Sequence, residues 1–204
     1  MDWQRFRLLW TQGAKARIKA SAMVLDSLVW PLIAADLDDG MLVCSETSSS
    51  PYAQLLDRDA GIDAIVWTDK PRSIRALAHR SQIGRCYETF TIRSRLAGTG
   101  GDTELQKRLR SLADDSMRPG LTLQSYVDVG SERLLGVGVI KSVDLYDAVI
   151  AHQMKGGGWP YRRRDLPVYE MSNQADGNQF LVVRWDALTQ VKIYPARAEQ
   201  LALI

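Results

Sequence analysis

The chain has 204 residues, of which 46% are hydrophobic and 25% charged, with a net charge of only +2. Such a composition supports one globular domain with an ample core and excludes a disordered or low-complexity chain and a uniformly basic nucleic-acid tail. Two cysteines, Cys44 and Cys86, and two histidines, His79 and His152, cannot build a disulfide framework or a His/Cys zinc cluster. They read as thiols of a reducing compartment.

In chain order, residues 3–29 read as helix, rich in Ala, Leu, Lys and Arg, with Gly13 as a point where it can split. Pro31 and the following "DLDDG" end or bend it. The most apolar run, 20–37, is broken by Asp26, Pro31 and Asp36 and falls short of the roughly 18 uninterrupted residues that cross a bilayer. The opening "MDWQRFRLLW" lacks the pattern of a cleavable leader. A cytoplasmic protein with no membrane association is therefore expected. "GMLVCSE" reads as a short strand, "TSSSPY" as a loop, and "AQLLDRDAG" as a further helical turn stopped by Gly61.

The period then changes from helical to extended. Residues 62–68 form an apolar, β-branched run between Gly61 and "TDKP". Residues 74–82 and 87–93 alternate as strands do, so three consecutive strands with short links predict an antiparallel meander. Thr103 and Gln106 form a capping box for a helix with an apolar stripe of Leu105, Leu109 and Leu112. Residues 121–129 and 133–141 predict a hairpin and residues 143–153 a short helix. "KGGGWPYRRRDLP" reads as a loop, and 179–185 and 190–194 as two late strands. The fold class expected is α/β (α+β): a single domain with a mixed central sheet, an antiparallel meander and flanking helices. It divides into an N-terminal helical segment (1–50), a core (53–129) and a C-terminal hairpin, helix and strands (130–204).

Three features carry candidate chemistry. Asp63 sits in "GIDAIV", among residues bound for the core, where an ionised carboxylate is costly unless a cation or donor meets it. "TFTIRSR" places Thr89, Thr91 and Arg93 on one strand face, with Arg95 following, in a pattern able to track a phosphodiester backbone or to make ordinary cross-strand pairs. "KGGGWPYRRR" joins Trp159 and Tyr161 to Arg162, Arg163 and Arg164, so aromatics that stack on bases lie beside cations that grip phosphate. Lys107, three residues after Glu104, belongs either to the same surface or to a plain ion couple on the helix.

The order helix, acidic strand, further strands, helix, strand over 53–129 resembles the PD-(D/E)XK nuclease-like superfamily, with Asp63 on the acidic strand. That resemblance implies a restriction-endonuclease-like core and a metal-dependent DNA nuclease of a mobile element or anti-phage system. Two acids would hold Mg²⁺, with Asp63 as one ligand and Glu88 or Glu104 as the other. Asp57 and Asp59 are further candidates. The Glu-x-Lys element of the family is not matched: "AHRSQ" stands there, placing Arg80 and Gln82 where a metal ligand and a lysine are expected. Arginine stays protonated and cannot ligate a metal. The alternative is a catalytically inactive subunit that binds nucleic acid, or a protein-interaction module. The second draws on six tryptophans, among them Trp3, Trp10 and Trp159 in segments expected to be exposed.

Overall fold

The computed structural model describes residues 1–45, 51–69, 71–97, 102–173 and 177–195, except for the side chains of residues 14, 53, 54, 58 and 59. It is an α+β protein with a six-stranded mixed sheet and a three-stranded sheet.

The helices come first. α1 (Trp3–Thr11) starts with the Asp2 carboxylate accepting from the Arg5 amide. Gly13, at φ 101°, separates it from α2 (Ala14–Val24), because that backbone conformation is strained for a residue with a Cβ. Pro31 does not end the helical path. A π-helical turn over Leu25–Val29 precedes α3 (Trp30–Ile33), where Pro31 falls in the first turn, and a 3₁₀ turn over Ala34–Leu37 follows. The dihedrals stay helical from Val24 to Trp30, and the wider π turn, in which the Trp30 N–H reaches the Leu25 carbonyl, lies directly before the proline, which has no N–H to place in the ladder. Lys15–Leu37 is consequently long and apolar enough, by length and composition, to cross a membrane, contrary to the sequence expectation. In the fold its residues Ala20, Val24, Leu25, Val29, Ile33 and Leu37 are buried in the same cluster as Ala64, Val66, Leu77, Leu123 and Val127 of the large sheet. Each such large apolar side chain stabilises the fold by about 1.5–3 kcal/mol when buried.

β1 (Met41–Cys44), β2 (Ala64–Asp69) and β3 (Arg72–Ile83) are successive antiparallel neighbours. The meander is therefore real but shifted by one strand. The third strand predicted for it, seen as β4 (Thr89–Arg95), leaves the large sheet and pairs with β8 (Gln179–Arg184). α5 (Glu104–Ala113) then crosses over to β5 (Leu121–Asp128), which lies parallel to β3. β6 (Arg133–Lys141) completes the predicted hairpin, and α6 (Ser142–Ala151) follows it directly. β7 (Val168–Ser172), inside a stretch with no predicted strand, pairs with β8, and β9 (Lys192–Pro195) closes the far edge of the large sheet. The predicted turn after β1 becomes α4 (Pro51–Leu55), with a π-helical turn over Leu56–Ala60 behind it.

A second core joins the two sheets through Phe90, Ile92, Tyr126, Ile140, Leu145, Val149, Leu181, Val183 and Trp185. Tyr126 pins them together: its hydroxyl donates to the Thr89 carbonyl at 2.8 Å and accepts from the Thr89 amide at 3.2 Å. Gly138 is bare because a Cβ there would meet the Trp185 ring at 2.4 Å.

β3 is longer than its neighbour on one side. Its pairing with β2 ends at Leu77, while its pairing with β5 continues from Leu77 to Ile83. The result is a notch in the large sheet, with Asp63 at its corner.

Candidate nucleic-acid interface

The notch opens into a cavity of about 730 Å³. Its walls come from α2, the Gly61–Asp63 corner, β3, β4, the start of α5, β5 and the β7–β8 connection. Residues from both faces of β3 reach it, which the alternation of a fully paired strand does not allow.

On the helical side, beside Arg17, the wall is a neutral hydrogen-bonded cluster. The Ser21 hydroxyl lies 3.3 Å from His79 Nδ1 and donates to Ser81 Oγ at 3.2 Å. His79 Nε2 and the Ser125 hydroxyl are 2.9 Å apart, as are the Ser81 and Ser125 hydroxyls. Burial lowers the His79 imidazole to about 3, so it is uncharged at neutral pH and supplies one donor and one acceptor to this cluster.

Asp63 sits at the corner. One carboxylate oxygen accepts the His79 backbone N–H at 2.7 Å, capping the edge of β3 where β2 has ended. Burial raises its pKa to about 7. The His79 N–H and the Arg108 charge oppose that rise, and the charges of Asp57 and Glu104 add to it. The apolar setting read from "GIDAIV" is therefore present, and the donor it needs is a main-chain amide.

On the other side the wall is charged. Arg80 Nη2 donates to Glu104 Oε2 at 2.6 Å, and the Arg93 backbone N–H reaches the same oxygen at 3.2 Å. Glu104 is held for this by the capping box: the Thr103 N–H donates to Gln106 Oε1, and the Gln106 N–H donates to Thr103 Oγ1. The guanidinium groups of Arg80 and Arg93 lie 5.3 and 5.8 Å from the centre of the Phe180 ring. Gln82 donates its amide to Thr91 Oγ1, and the Thr91 hydroxyl donates to Gln124 Oε1. Beneath them Arg108, 3% exposed, donates to the carbonyls of Ala60 and Gly61 and so fixes the backbone that carries Asp63.

Of the residues named from sequence, Asp63, Arg80, Thr91, Arg93, Glu104 and Lys107 line the cavity together, and Asp57 joins them. Gln82 touches the group through Thr91. The side chain of Asp59 lies outside the described residues. Glu88 is elsewhere: it is exposed, has φ 52°, precedes β4, and its carbonyl accepts from the Trp185 amide. It does not line the cavity with Asp63. Arg95 is exposed at the end of β4. None of the residues 159–164 lines the cavity. Trp159 Nε1 donates to the Val149 carbonyl, and the Tyr161 hydroxyl is 2.8 Å from that of Ser172. Arg162 lies over the Tyr161 ring, and Arg163 pairs with Asp165. Arg164 is exposed. Trp3 and Trp10 pack against the first core and Trp159 against the second, so none of the three is a free surface aromatic.

Sequence reasoning passed over Gln124, Arg108, Phe180 and Ser21. A signal existed for Gln124, a long amide in the middle of the strand "LTLQSYVD" whose interior is buried throughout. None existed for Phe180 or Ser21, which reach the cavity through non-local packing.

The donor set suits a divalent cation poorly. Among the described residues no group of three or more His, Cys, Asp and Glu is placed to hold a metal ion. Glu104 already receives Arg80 and the Arg93 amide on one oxygen. Hard cations of the Mg²⁺ type need uncommitted carboxylate oxygens. Comparison with known protein families, with characterised proteins and with solved structures matches none of them.

Proposed function

We propose that the chain binds nucleic acid at the notch without cleaving it, using a nuclease-like framework whose metal site has been replaced by an ion pair. The observation that carries this reading is the Arg80–Glu104 contact. The strand position where a nuclease of this kind keeps a ligand holds a permanent cation, and that cation occupies the acid nearest the family pattern. The topology supports the framework: an acid at the head of β2, an antiparallel β3, and a helical crossover to a parallel β5. The side-chain chemistry supports the ligand. Arg17, Arg93 and Lys107 border the cavity with Arg80, and arginine and lysine beside an aromatic ring suit phosphate and base together.

The test is incubation with single- and double-stranded DNA and RNA, with and without Mg²⁺ or Mn²⁺, read by fluorescence anisotropy and by gel. The expected result is binding that weakens steeply with salt and no cleavage in any condition. Cleavage that needs the metal and is abolished by Asp63→Ala refutes the binding-only reading and restores a two-carboxylate mechanism. Absence of binding to every polymer removes the nucleic-acid reading altogether.

A further inference from the structure

Gln124 supplies a more specific inference. It stands in the middle of β5, in register with Arg80 on β3 and Gly138 on β6, and only 1% of it is exposed. The orientation of its amide is set by its neighbours. Oε1 accepts the Thr91 backbone N–H at 3.3 Å and the Thr91 hydroxyl at 3.0 Å. Because a backbone N–H can only donate, the oxygen must face β4 and the NH₂ must face away. That Nε2 is buried and has no hydrogen-bond partner among the described residues. A buried donor left unmatched is unfavourable and rare in native proteins, and it points to a ligand acceptor.

We infer that the cavity receives a single nucleotide and that Gln124 reads the edge of its base, selecting a keto oxygen over an amino group. This rests on the nucleic-acid reading above and sharpens it. The volume of about 730 Å³ falls within the roughly 300–1,000 Å³ of small-molecule sites and accommodates one nucleotide unit. The Arg80 and Arg93 guanidiniums over the Phe180 ring are planar groups on which a base or sugar can stack, and Arg17 and Lys107 at the wall suit its phosphate. The selectivity follows from the amide. Its acceptor end is occupied by Thr91, so toward the ligand it is a donor only. Uracil, thymine and guanine present a carbonyl oxygen at the position where cytosine and adenine present an NH₂. Two donors facing each other leave both unpaired, so the amino bases are rejected.

UMP and CMP differ there and at the adjoining N3, which carries a hydrogen in uracil and none in cytosine, and they are the probes to use. With the full chain, titration calorimetry is expected to show UMP binding about tenfold or more tighter than CMP. In Gln124→Glu the variant carboxylate still accepts from Thr91 but presents an acceptor to the ligand, so the preference inverts toward CMP, a change that mere loss of packing does not produce. If that variant does not fold, the wild-type comparison decides, together with the Gln124 side-chain NH₂ resonances, which shift on UMP addition but not with CMP. An oligonucleotide that binds while UMP and CMP bind equally, or not at all, overturns base reading and leaves the nucleic-acid interface standing. Failure of oligonucleotides and mononucleotides alike removes both.

Discussion

Two arginine-rich stretches of this chain look alike as sequence, 72–95 and 162–164, and the fold treats them in opposite ways. In the first, Arg80 and Arg93 are drawn over Phe180 beside a cavity, and the Arg80–Glu104 pair is only about a quarter exposed. In the second, Arg163 pairs with Asp165, two residues away, with both side chains about 60% exposed. A cation paired locally on a solvated loop is screened by water and spends its donors on its neighbour. A cation held by acids and aromatics from other elements keeps its position when a ligand arrives. Charge along a sequence therefore marks where cations are, and non-local partners decide which of them form a site.

The strongest way to break this contrast is Arg108→Ala. Arg108 sits under the cavity with its two terminal guanidinium nitrogens on the carbonyls of Ala60 and Gly61. Its loss leaves two buried carbonyls without a charged donor and is expected to reduce stability by about 3 kcal/mol in denaturant titration. Arg163→Ala should leave the same transition unchanged. Equal effects from the two variants abolish the distinction.

A smaller effect is expected in binding. Arg93→Ala should weaken a single-stranded oligonucleotide several-fold and reduce the slope of log K against log salt by about 0.7, the loss of one phosphate contact. Arg163→Ala and Arg164→Ala should leave both quantities as they are. A slope that responds to the loop arginines and not to Arg93 moves the interface to the loop.

In the wild type the smallest effect is in pH dependence, because two adjoining groups are shifted in opposite senses. Asp63 has its pKa raised to about 7 in the fold. The folded state thus holds a proton that the unfolded chain has released, and this contribution makes stability fall as pH rises from about 4 to 7. His79 is lowered to about 3. Its contribution is complete above the unfolded value near 6.5 and is lost as pH falls toward 3. The two slopes offset each other between about pH 4 and 6.5. Asp63→Asn should expose the histidine slope, making the protein more sensitive to acid than the wild type in thermal melts. His79→Gln should do the reverse, with stability declining from pH 4 to 7. Parallel profiles for all three proteins show that neither group is shifted.

The elements set by short-range chemistry were legible in the chain. Thr103 and Gln106 close their capping box as their spacing requires. Gly13 divides the first two helices, and the 133–141 hairpin strand forms where its alternation places it. Asp63 was visible for a physical reason as well, since an acid among β-branched residues needs a donor wherever the strand goes. What could not be read was partnership. β4 alternates like its predecessors, yet alternation says only that one face is buried and not which sheet buries it. Glu88 and Glu104 were equivalent as acids near Asp63 until β4 left the large sheet and α5 brought Glu104 back across to β3.

Residue order alone thus determined most of the local segments, the cap of α5, and the need for a donor at position 63. Only the tertiary structure decided that Arg80 neutralises Glu104, that Gln124 is left with a free donor, and that β3 outruns β2 to open the notch. The reason is range. Caps and turns are settled by residues three or four apart, whereas strand register and the neighbours of a side chain across a sheet are settled by pairings far apart in the chain, such as Arg80 with Gln124 or Phe90 with Val183.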